Sequence, residues 1–190
     1  MELTPLGIEG VWLVESRVFH DDRGLFREWF KSETVQSVTG RKFEIEQANI
    51  SSSSRGTLRG IHYSTAPRGQ AKWVTCVAGS IQDVVVDIRP NSPTFGKWVG
   101  VELTQESGKA LFISEGLGHG FLALEDKTAV AYLVSTPFSP ENEFEINPLD
   151  PAIGITWRIE STLLKISDKD KSAPTLTEQL NQGNLPKDKA

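Results

Sequence analysis

The segment from Thr57 to Ser80, TLRGIHYSTAPRGQAKWVTCVAGS, places one histidine between two fixed cations, Arg59 and Lys72. Histidine is the side chain that most readily takes up or releases a proton under ordinary conditions, so His62 is a candidate for proton transfer. Arginine offers a fork of N–H donors that fits phosphate or carboxylate oxygens, and lysine offers a compact positive charge. A purely structural sheet needs no such grouping. The segment therefore predicts a pocket in which an anionic ligand exchanges a proton.

Histidine is scarce in this chain, which has only His20, His62 and His119. His20 precedes the polar turn Asp-Asp-Arg-Gly and is predicted to lie on the surface. His62 and His119 are each the only strongly polar side chain in an apolar neighbourhood. Each is either a hydrogen-bonded structural histidine or a catalytic one, and its neighbours alone leave both roles open.

An imidazole base needs a carboxylate to orient it and, for an inversion, an acid on the other side of the substrate. Tyr132 is the candidate acid, because a phenol with an ordinary pKa of about 10 stays protonated. A core tyrosine bonded to backbone is the alternative interpretation. Spacing does not choose among the candidate orienting carboxylates, which are Asp83, Asp87, Asp168 and Asp170.

Other kinds of site have little support in the sequence. Cys76 is the only cysteine, no two histidines have ligand spacing, and Arg59 and Lys72 would repel a metal ion, so no metal is predicted. A net charge of -5 and the lack of a basic stripe argue against nucleic acid. With no signal peptide and no long apolar segment, we expect no membrane contact and a cytoplasmic location.

The elements that must position these groups are short runs rich in Val, Ile, Phe, Trp and Thr, such as TLRGIHY, AKWVTCVAG and TAVAYLVS. They predict an all-β fold, an antiparallel sandwich or barrel, within one domain over residues 1–190. Gly79-Ser80 is interpreted as a hairpin turn. Short peripheral helices are expected over Ser32–Val38 and Thr175–Gln182, with a polar tail completing residues 175–190.

Strand alternation predicts which side chains share a face. Lys72 lies with Val74, Cys76 and Ala78, and Tyr132 lies with Val130 and Val134. A single polar group on an apolar face is typical of functional sites. Simple alternation places His62 and Arg59 on opposite faces, so a shared pocket requires a twist or bulge, which Gly60 permits.

Seven motifs occur in the order DDRGLFREWF, LRGIHYS, QAKWVTCVAGSIQDVVVDIR, SPTFGKWVGVEL, EGLGHGF, DPAIGITW and SDKDKSAP. In this set the chain resembles the dTDP-4-dehydrorhamnose 3,5-epimerase family, from about Val11 to Pro174. The resemblance implies a cupin-type jelly roll, a homodimer, and no metal or organic cofactor. It also implies a dTDP-4-keto-6-deoxyhexose as substrate.

The resemblance further implies a role for each matching residue. His62 is the base, Asp170 its carboxylate partner, Tyr132 the proton donor, and Lys72 the cation near the keto oxygen. Both C3 and C5 flank the C4 carbonyl, so loss of either proton gives an enolate that a fixed cation stabilises. The expected substrate-binding residues are Arg23, Phe26, Glu28, Gln47, Asn49, Arg59, His119, Phe138, Glu143 and Lys169.

Several positions depart from the family pattern. Leu133 replaces a lysine, Pro137 and Phe138 replace two tyrosines, and EGLGHGF replaces EGFAHGF. We expect these changes to surround the sugar and base pockets. Three functions therefore stay open: inversion at C3 and C5, inversion at C3 alone, and binding of a nucleotide sugar without catalysis.

Overall fold

A computed structural model describes residues 1–186 of the chain. The helices in this range are α1 (Ser32–Thr39), α2 (Asp168–Lys171) and α3 (Leu176–Gln182), and two short 3-10 turns cover Pro140–Asn142 and Ser161–Leu163. The strands are β1 (Glu2–Pro5), β2 (Val11–Glu15), β3 (Val18–Asp21), β4 (Gly24–Arg27), β5 (Gln47–Ser53), β6 (Thr57–Ser64), β7 (Lys72–Ala78), β8 (Ser80–Asp87), β9 (Trp98–Thr104), β10 (Lys109–Ile113), β11 (Leu117–Ala123), β12 (Thr128–Val134), β13 (Glu143–Glu145) and β14 (Lys165–Ile166).

Most of these strands form two sheets that face each other. The first sheet has the order β1-β2-β10-β7-β12-β5 and the second the order β13-β6-β11-β8-β9, with β14 alongside β6. All neighbours are antiparallel except β14 and β6. β3 and β4 form a separate hairpin. The all-β, jelly-roll-like sandwich with short peripheral helices is thus confirmed, although within residues 1–186 the sheets do not close into a barrel.

The space between the two sheets holds the central core. Val74 and Cys76 of β7 and Val130 of β12 pack there against Val85 and Phe121 of the second sheet. Val74 and Cys76, and separately Val130, are among the alternate positions that were predicted to lie on one face of their strand. The residues between them point outward, so each of these strands contributes side chains to the central core and to a cluster on the outer face of its sheet.

Each sheet also buries its outer face. Trp73 and Phe112 of the first sheet pack with Val35 of α1. Ile61 and Val86 of the second sheet belong to a cluster that includes Leu176 and Leu185. The inner region is therefore enclosed by two supported walls, which is the arrangement that a precise internal site requires.

The β3–β4 hairpin lies on the outer side of the first sheet. The Arg27 guanidinium donates hydrogen bonds to Thr75 Oγ1 (3.1 Å) and to the carbonyl of Cys76 (2.8 Å). Just beyond the hairpin, the indole N–H of Trp73 donates to the carbonyl of Trp29 at 2.9 Å. Thr75 and Trp73 are the outward positions of β7, so the sheet separates this hairpin from the central core.

Gly79 does not form the predicted hairpin turn. It joins β7 to β8, and these two strands belong to different sheets. With φ of 70°, and with only 2.6 Å between an added Cβ and Thr128 Oγ1, Gly79 makes a sharp corner at which the chain changes sheets. The prediction was wrong because the same local turn signal occurs between strands that pair as a hairpin and between strands that belong to different sheets.

The two predicted helices are present nearly as expected. α3 begins after Thr175, which forms a capping box with Glu178. α2 was not anticipated. The tail expected to be polar is apolar in part, because Leu185 is only 5% exposed and packs on the second sheet. The last four residues of that predicted tail, 187–190, lie outside the described residues.

Candidate active site

A cavity of about 330 Å³ opens between the two sheets. The first sheet contributes side chains from β5, β7 and β12, and the second sheet contributes β6 and β13. α2 and two loops complete the rim. The lining residues are Gln47, Asn49, His62, Gln70, Lys72, Tyr132, Val134, Phe138, Glu143, Phe144, Glu145 and Lys169.

A bulge in β6 shapes one wall of this cavity. His119 of β11 is opposite His62, whereas Phe121 is opposite Arg59, so two residues of β6 face one residue of β11. Phe121 points into the central core, and Arg59 therefore shares the inner face with His62. The bulge is at Gly60, where φ is 125° and an added Cβ would lie 2.5 Å from the Cα of Gly120. The predicted irregularity at Gly60 is confirmed.

His62 is paired with a carboxylate from the far end of the chain. Its Nε2 lies 2.7 Å from Oδ1 of Asp170, whose side chain is 6% exposed, while that of His62 is 42% exposed. The pair fixes the ring and leaves Nδ1 as the other titratable atom. Burial acts to raise the pKa of Asp170. The hydrogen bond with His62 and smaller contributions from Ser167 and Gly60 outweigh it, and that pKa lies below its ordinary value.

Tyr132 reaches the cavity from the opposite wall. It is part of β12 in the first sheet, whereas His62 is part of β6 in the second sheet. Burial raises the pKa of Tyr132, the charge of Arg59 acts to lower it, and the charge of Glu143 raises it further. The net increase keeps the phenol protonated at neutral pH, so it can donate a proton.

Lys72 is the buried cation of the site. It is 7% exposed, lines the cavity, and makes no side-chain hydrogen bond to any other residue within 1–186. Burial lowers the pKa of Lys72, and the nearby charges of Glu143 and Asp83 oppose that change. A cation whose donors are directed at an open space can stabilise negative charge that develops there.

His119 forms a second imidazole–carboxylate pair. Its Nε2 lies 2.9 and 3.0 Å from the two carboxylate oxygens of Asp83, which is fully buried. His119 is the cross-strand neighbour of His62 but does not line the cavity. His119 therefore lies beside His62 on the inner face of the sheet without being among the lining residues, and its expected role in substrate binding stays a prediction.

The structure distinguishes the four candidate carboxylates. Asp170 serves His62 and Asp83 serves His119. Asp87 is fully buried and accepts hydrogen bonds from Arg89, Ser92 and Thr94, so this part of the SPTFG motif stabilises the fold. Asp168 is exposed at the start of α2.

Most of the remaining expected residues come together at the cavity. The Phe138 N–H donates to Gln47 Oε1 at 3.0 Å, and Gln47 Nε2 donates to Asn49 Oδ1 at 2.7 Å. Glu143 has a buried Oε1 with no hydrogen-bond partner among residues 1–186. Lys169 lies at the rim, 3.0 Å from Glu145.

Sequence reasoning missed four lining residues: Gln70, Val134, Phe144 and Glu145. Two of them carried a usable signal. Val134 has the same strand parity as Tyr132, and Glu145 has the same parity as Glu143. Gln70 precedes β7 in an irregular segment, where alternation gives no guidance. Phe144 stacks on Tyr63, outside the inner face.

Arg23, Phe26 and Glu28 do not line the cavity of their own chain. Arg23 is bonded to Asp21 at the tip of the β3–β4 hairpin, and Phe26 is 66% exposed. Glu28, which follows the hairpin, is also exposed. The hairpin lies on the outer side of the first sheet, so these residues are presented away from it.

The departures from the family pattern are not all at the pocket. Phe138 lines the cavity and is 62% exposed, as expected. Leu133 is buried in the outer cluster with Trp73, so its predicted place at the pocket was wrong. An outward position on β12 cannot be distinguished from an inward one by motif comparison alone. Pro137 is also absent from the lining.

Two further observations concern other kinds of site. Among residues 1–186, no group of three or more His, Cys, Asp or Glu side chains is arranged to hold a metal ion. In the same range no helix has the length and apolar character needed to cross a membrane.

An imidazole and a phenol on opposite walls of one cavity, which a buried ammonium also lines, are groups that an isomerase built on a cupin-like β-sandwich can use to move protons on a ligand. Comparison with known proteins agrees: the model of the family described as dTDP-4-dehydrorhamnose 3,5-epimerase matches residues 5–178. The chain belongs to the dTDP-4-dehydrorhamnose 3,5-epimerase family.

Three similar proteins illustrate the relationship. A dTDP-4-dehydrorhamnose 3,5-epimerase of Mycolicibacterium smegmatis is 46% identical over 98% of this chain and 91% of its own. The solved structure of an epimerase from Mycobacterium tuberculosis has a TM-score of 0.95 and 40% identity, covering 98% of this chain and 94% of that one. A 3'-monoepimerase from Streptomyces bikiniensis, solved with dTDP-quinovose, has a TM-score of 0.91 and 44% identity, covering 96% and 92%.

Proposed function

We propose that this protein is an epimerase that needs no cofactor and inverts C3 and C5 of dTDP-4-keto-6-deoxy-D-glucose to give dTDP-4-keto-L-rhamnose. One observation carries the proposal. His62 and Tyr132 enter one cavity from opposite sheets, so a sugar ring between them has a base on one face and an acid on the other. The family membership of the chain supports the substrate class.

The chemistry follows from the C4 carbonyl of the substrate. The carbonyl makes the hydrogens on C3 and C5 acidic, and His62 removes one of them as its C–H electron pair moves into an enolate. Lys72 stabilises the charge on O4 because its ammonium donates to that oxygen without prior rearrangement. Tyr132 then protonates the same carbon from the other face, which inverts it and restores the C4 carbonyl. The phenolate that remains takes up a proton from water before the next step.

The pairing of His62 with Asp170 supports the role of base. The carboxylate fixes the ring orientation and stabilises the imidazolium that forms when the proton is taken up. Because 42% of the His62 side chain is exposed, the proton can exchange with water before the next step. The same pair can then act at the second carbon.

The direct test is incubation with dTDP-4-keto-6-deoxyglucose in heavy water, with the product analysed by NMR. Deuterium at both C3 and C5 is expected. Deuterium at neither carbon would overturn the proposal.

Deuterium at C3 alone would identify the second candidate, a C3 epimerase of a related dTDP-4-keto-deoxysugar. The similarity to the Streptomyces bikiniensis 3'-monoepimerase favours this candidate. The third possibility, a nucleotide-sugar-binding protein without activity, has less support because base, acid and cation all line the cavity.

We further propose that the protein is a homodimer in which each subunit completes the site of the other. Arg23, Phe26 and Glu28 are exposed on the outer side of the first sheet, where a second copy can receive them. A test is to mix inactive His62→Asn chains with chains that carry Arg23→Ala and Phe26→Ala. In a mixed dimer one cavity has both a native base and a native hairpin, so activity should return. No recovery after confirmed subunit exchange would contradict shared sites.

The expectations of one domain over residues 1–190 and of a cytoplasmic location stay predictions. The match of a single family model over residues 5–178 is in keeping with the first.

A further inference from the structure

Glu145 lies directly beside the proposed base, in a position that the mechanism above does not use. Glu145 of β13 is the cross-strand partner of His62 of β6. Side chains of directly opposed residues lie on the same face of a sheet, a few ångströms apart. Both side chains line the cavity, and that of Glu145 is 20% exposed.

Glu145 also holds the neighbour of the orienting carboxylate. Its Oε2 lies 3.0 Å from Nζ of Lys169, and Asp170, the next residue, lies 2.7 Å from His62. Lys169 and Asp170, which are consecutive in α2, thus contact Glu145 and His62, which are opposite each other in β13 and β6. α2 is a single four-residue turn with an N-cap at Ser167. A helix of that length is not stable alone, so its position depends on such contacts.

The same ion pair has a second consequence for anion binding. Lys169 is 64% exposed at the rim, where it can reach a ligand. The carboxylate of Glu145, 3.0 Å from the ammonium, neutralises part of that positive charge. A phosphate group that approaches Lys169 must share the ammonium with Glu145 and also meets its negative charge.

We propose that Glu145 is a positioning residue with two opposed effects. It holds α2, and through Asp170 the His62 ring, in the geometry for proton transfer, and it lowers the affinity for the diphosphate of the nucleotide by engaging Lys169. The inference rests on the proposed function, because it takes the diphosphate of a nucleotide sugar as the ligand of Lys169.

The substitution Glu145→Gln tests both effects, since it keeps the size of the side chain and removes its charge. Calorimetry measures the dissociation constant for dTDP, and activity assays with the keto sugar measure kcat and KM. An exposed ion pair of this kind changes an equilibrium by only about 1.4- to 5-fold. We expect dTDP to bind tighter by about 2- to 5-fold and kcat to fall by a similar factor. A merely structural role would weaken both.

Lys169→Met examines the same pair from the other side. It should weaken dTDP binding, and in its background Glu145→Gln should tighten binding less than it does in the unaltered protein and should not lower kcat further. Glu160→Gln is the control for loss of one negative charge, because Glu160 is exposed and is not one of the residues that line the cavity. It should leave both constants unchanged.

Weaker or unchanged dTDP binding in Glu145→Gln, or an unchanged kcat, would overturn the proposal. So would unchanged dTDP binding in Lys169→Met. None of these results decides the reaction itself, because deuterium labelling by the unaltered protein is measured independently.

Discussion

Arg59 and His62 lie on the same inner face of the second sheet, although regular alternation would place them on opposite faces. The bulge at Gly60 removes one step of the alternation. As a result the charge of Arg59 acts on Tyr132 and opposes part of the rise in its pKa that burial causes, while His62 faces the same space. One glycine thus places a cation and a titratable imidazole of one strand on the same face of the sheet, although Arg59 itself donates to Ser53 Oγ and is not among the residues that line the cavity.

Replacement of Gly60 by alanine should destabilise the protein severely. The new Cβ would lie 2.5 Å from the Cα of Gly120 and 2.8 Å from the carbonyl oxygen of His119, and both are backbone atoms that cannot move aside. We expect a loss of at least about 3 kcal/mol in the free energy of unfolding, measured by chemical denaturation.

Gly24→Ala is the matched control for that experiment. Gly24 has φ of 131°, close to the 125° of Gly60, but has nothing within 4 Å of an added Cβ. It should cost only about 1–2 kcal/mol, from the backbone conformation alone. Equal losses in the two variants would mean that contact with β11 is unimportant.

Replacement of Lys72 by methionine should abolish epimerisation and stabilise the fold. Burial lowers the pKa of Lys72, which means that folding disfavours its charged form. Removing the charge should raise the free energy of unfolding by about 1–2 kcal/mol at pH 7, net of the lost attraction to Glu143 and Asp83.

The gain from Lys72→Met should also depend on pH. Because the pKa of Lys72 is lower in the folded state than in the unfolded state, the full cost of burying its charge applies at pH values below the folded-state pKa. It disappears as the pH rises towards the ordinary value of about 10.4. Thermal denaturation at pH 7 and near pH 11 measures this change, with Lys42→Met as the control because Lys42 is 72% exposed. A destabilised Lys72→Met variant at pH 7 would contradict the prediction.

Gly118 and Ile61 form a pair that explains one departure from the family pattern. A Cβ at Gly118 would lie 2.6 Å from Ile61 Cγ2, so the usual alanine is incompatible with the β-branched side chain at position 61. Gly118→Ala should cost about 1–3 kcal/mol through overpacking. Adding Ile61→Leu, which removes Cγ2, should recover part of that loss, whereas Ile61→Val, which keeps Cγ2, should not. Equal behaviour of the two double variants in denaturation would refute the pairing.

The sequence predicted the fold class and the faces of the central strands because alternation reports burial directly. The inward positions of Lys72 and Tyr132 follow from a polar residue on an apolar face. The need for a bulge at Gly60 followed because alternation places Arg59 and His62 on opposite faces, whereas a shared pocket requires them on the same face. Each of these inferences concerns neighbours within one strand.

Contacts between distant segments could not be predicted in this way. Spacing did not choose Asp170 over Asp83 as the partner of His62, because the choice depends on how α2 docks against β6. The corner at Gly79 likewise depends on which sheet each strand joins, whereas the outward position of Leu133 follows from the alternation that turns Tyr132 inward. The place of the β3–β4 hairpin depends on the packing of Arg27 against β7, for which the sequence holds no local signal.

The central claim is that the base and the acid act from opposite walls, and two variants in heavy water test it most directly. Tyr132→Phe keeps the base, so it should exchange substrate hydrogens for deuterium with retention of configuration and yield little inverted product. His62→Asn should show no exchange at C3 or C5 while still binding dTDP. Inversion by Tyr132→Phe at the unaltered rate, or continued exchange by His62→Asn, would contradict the account.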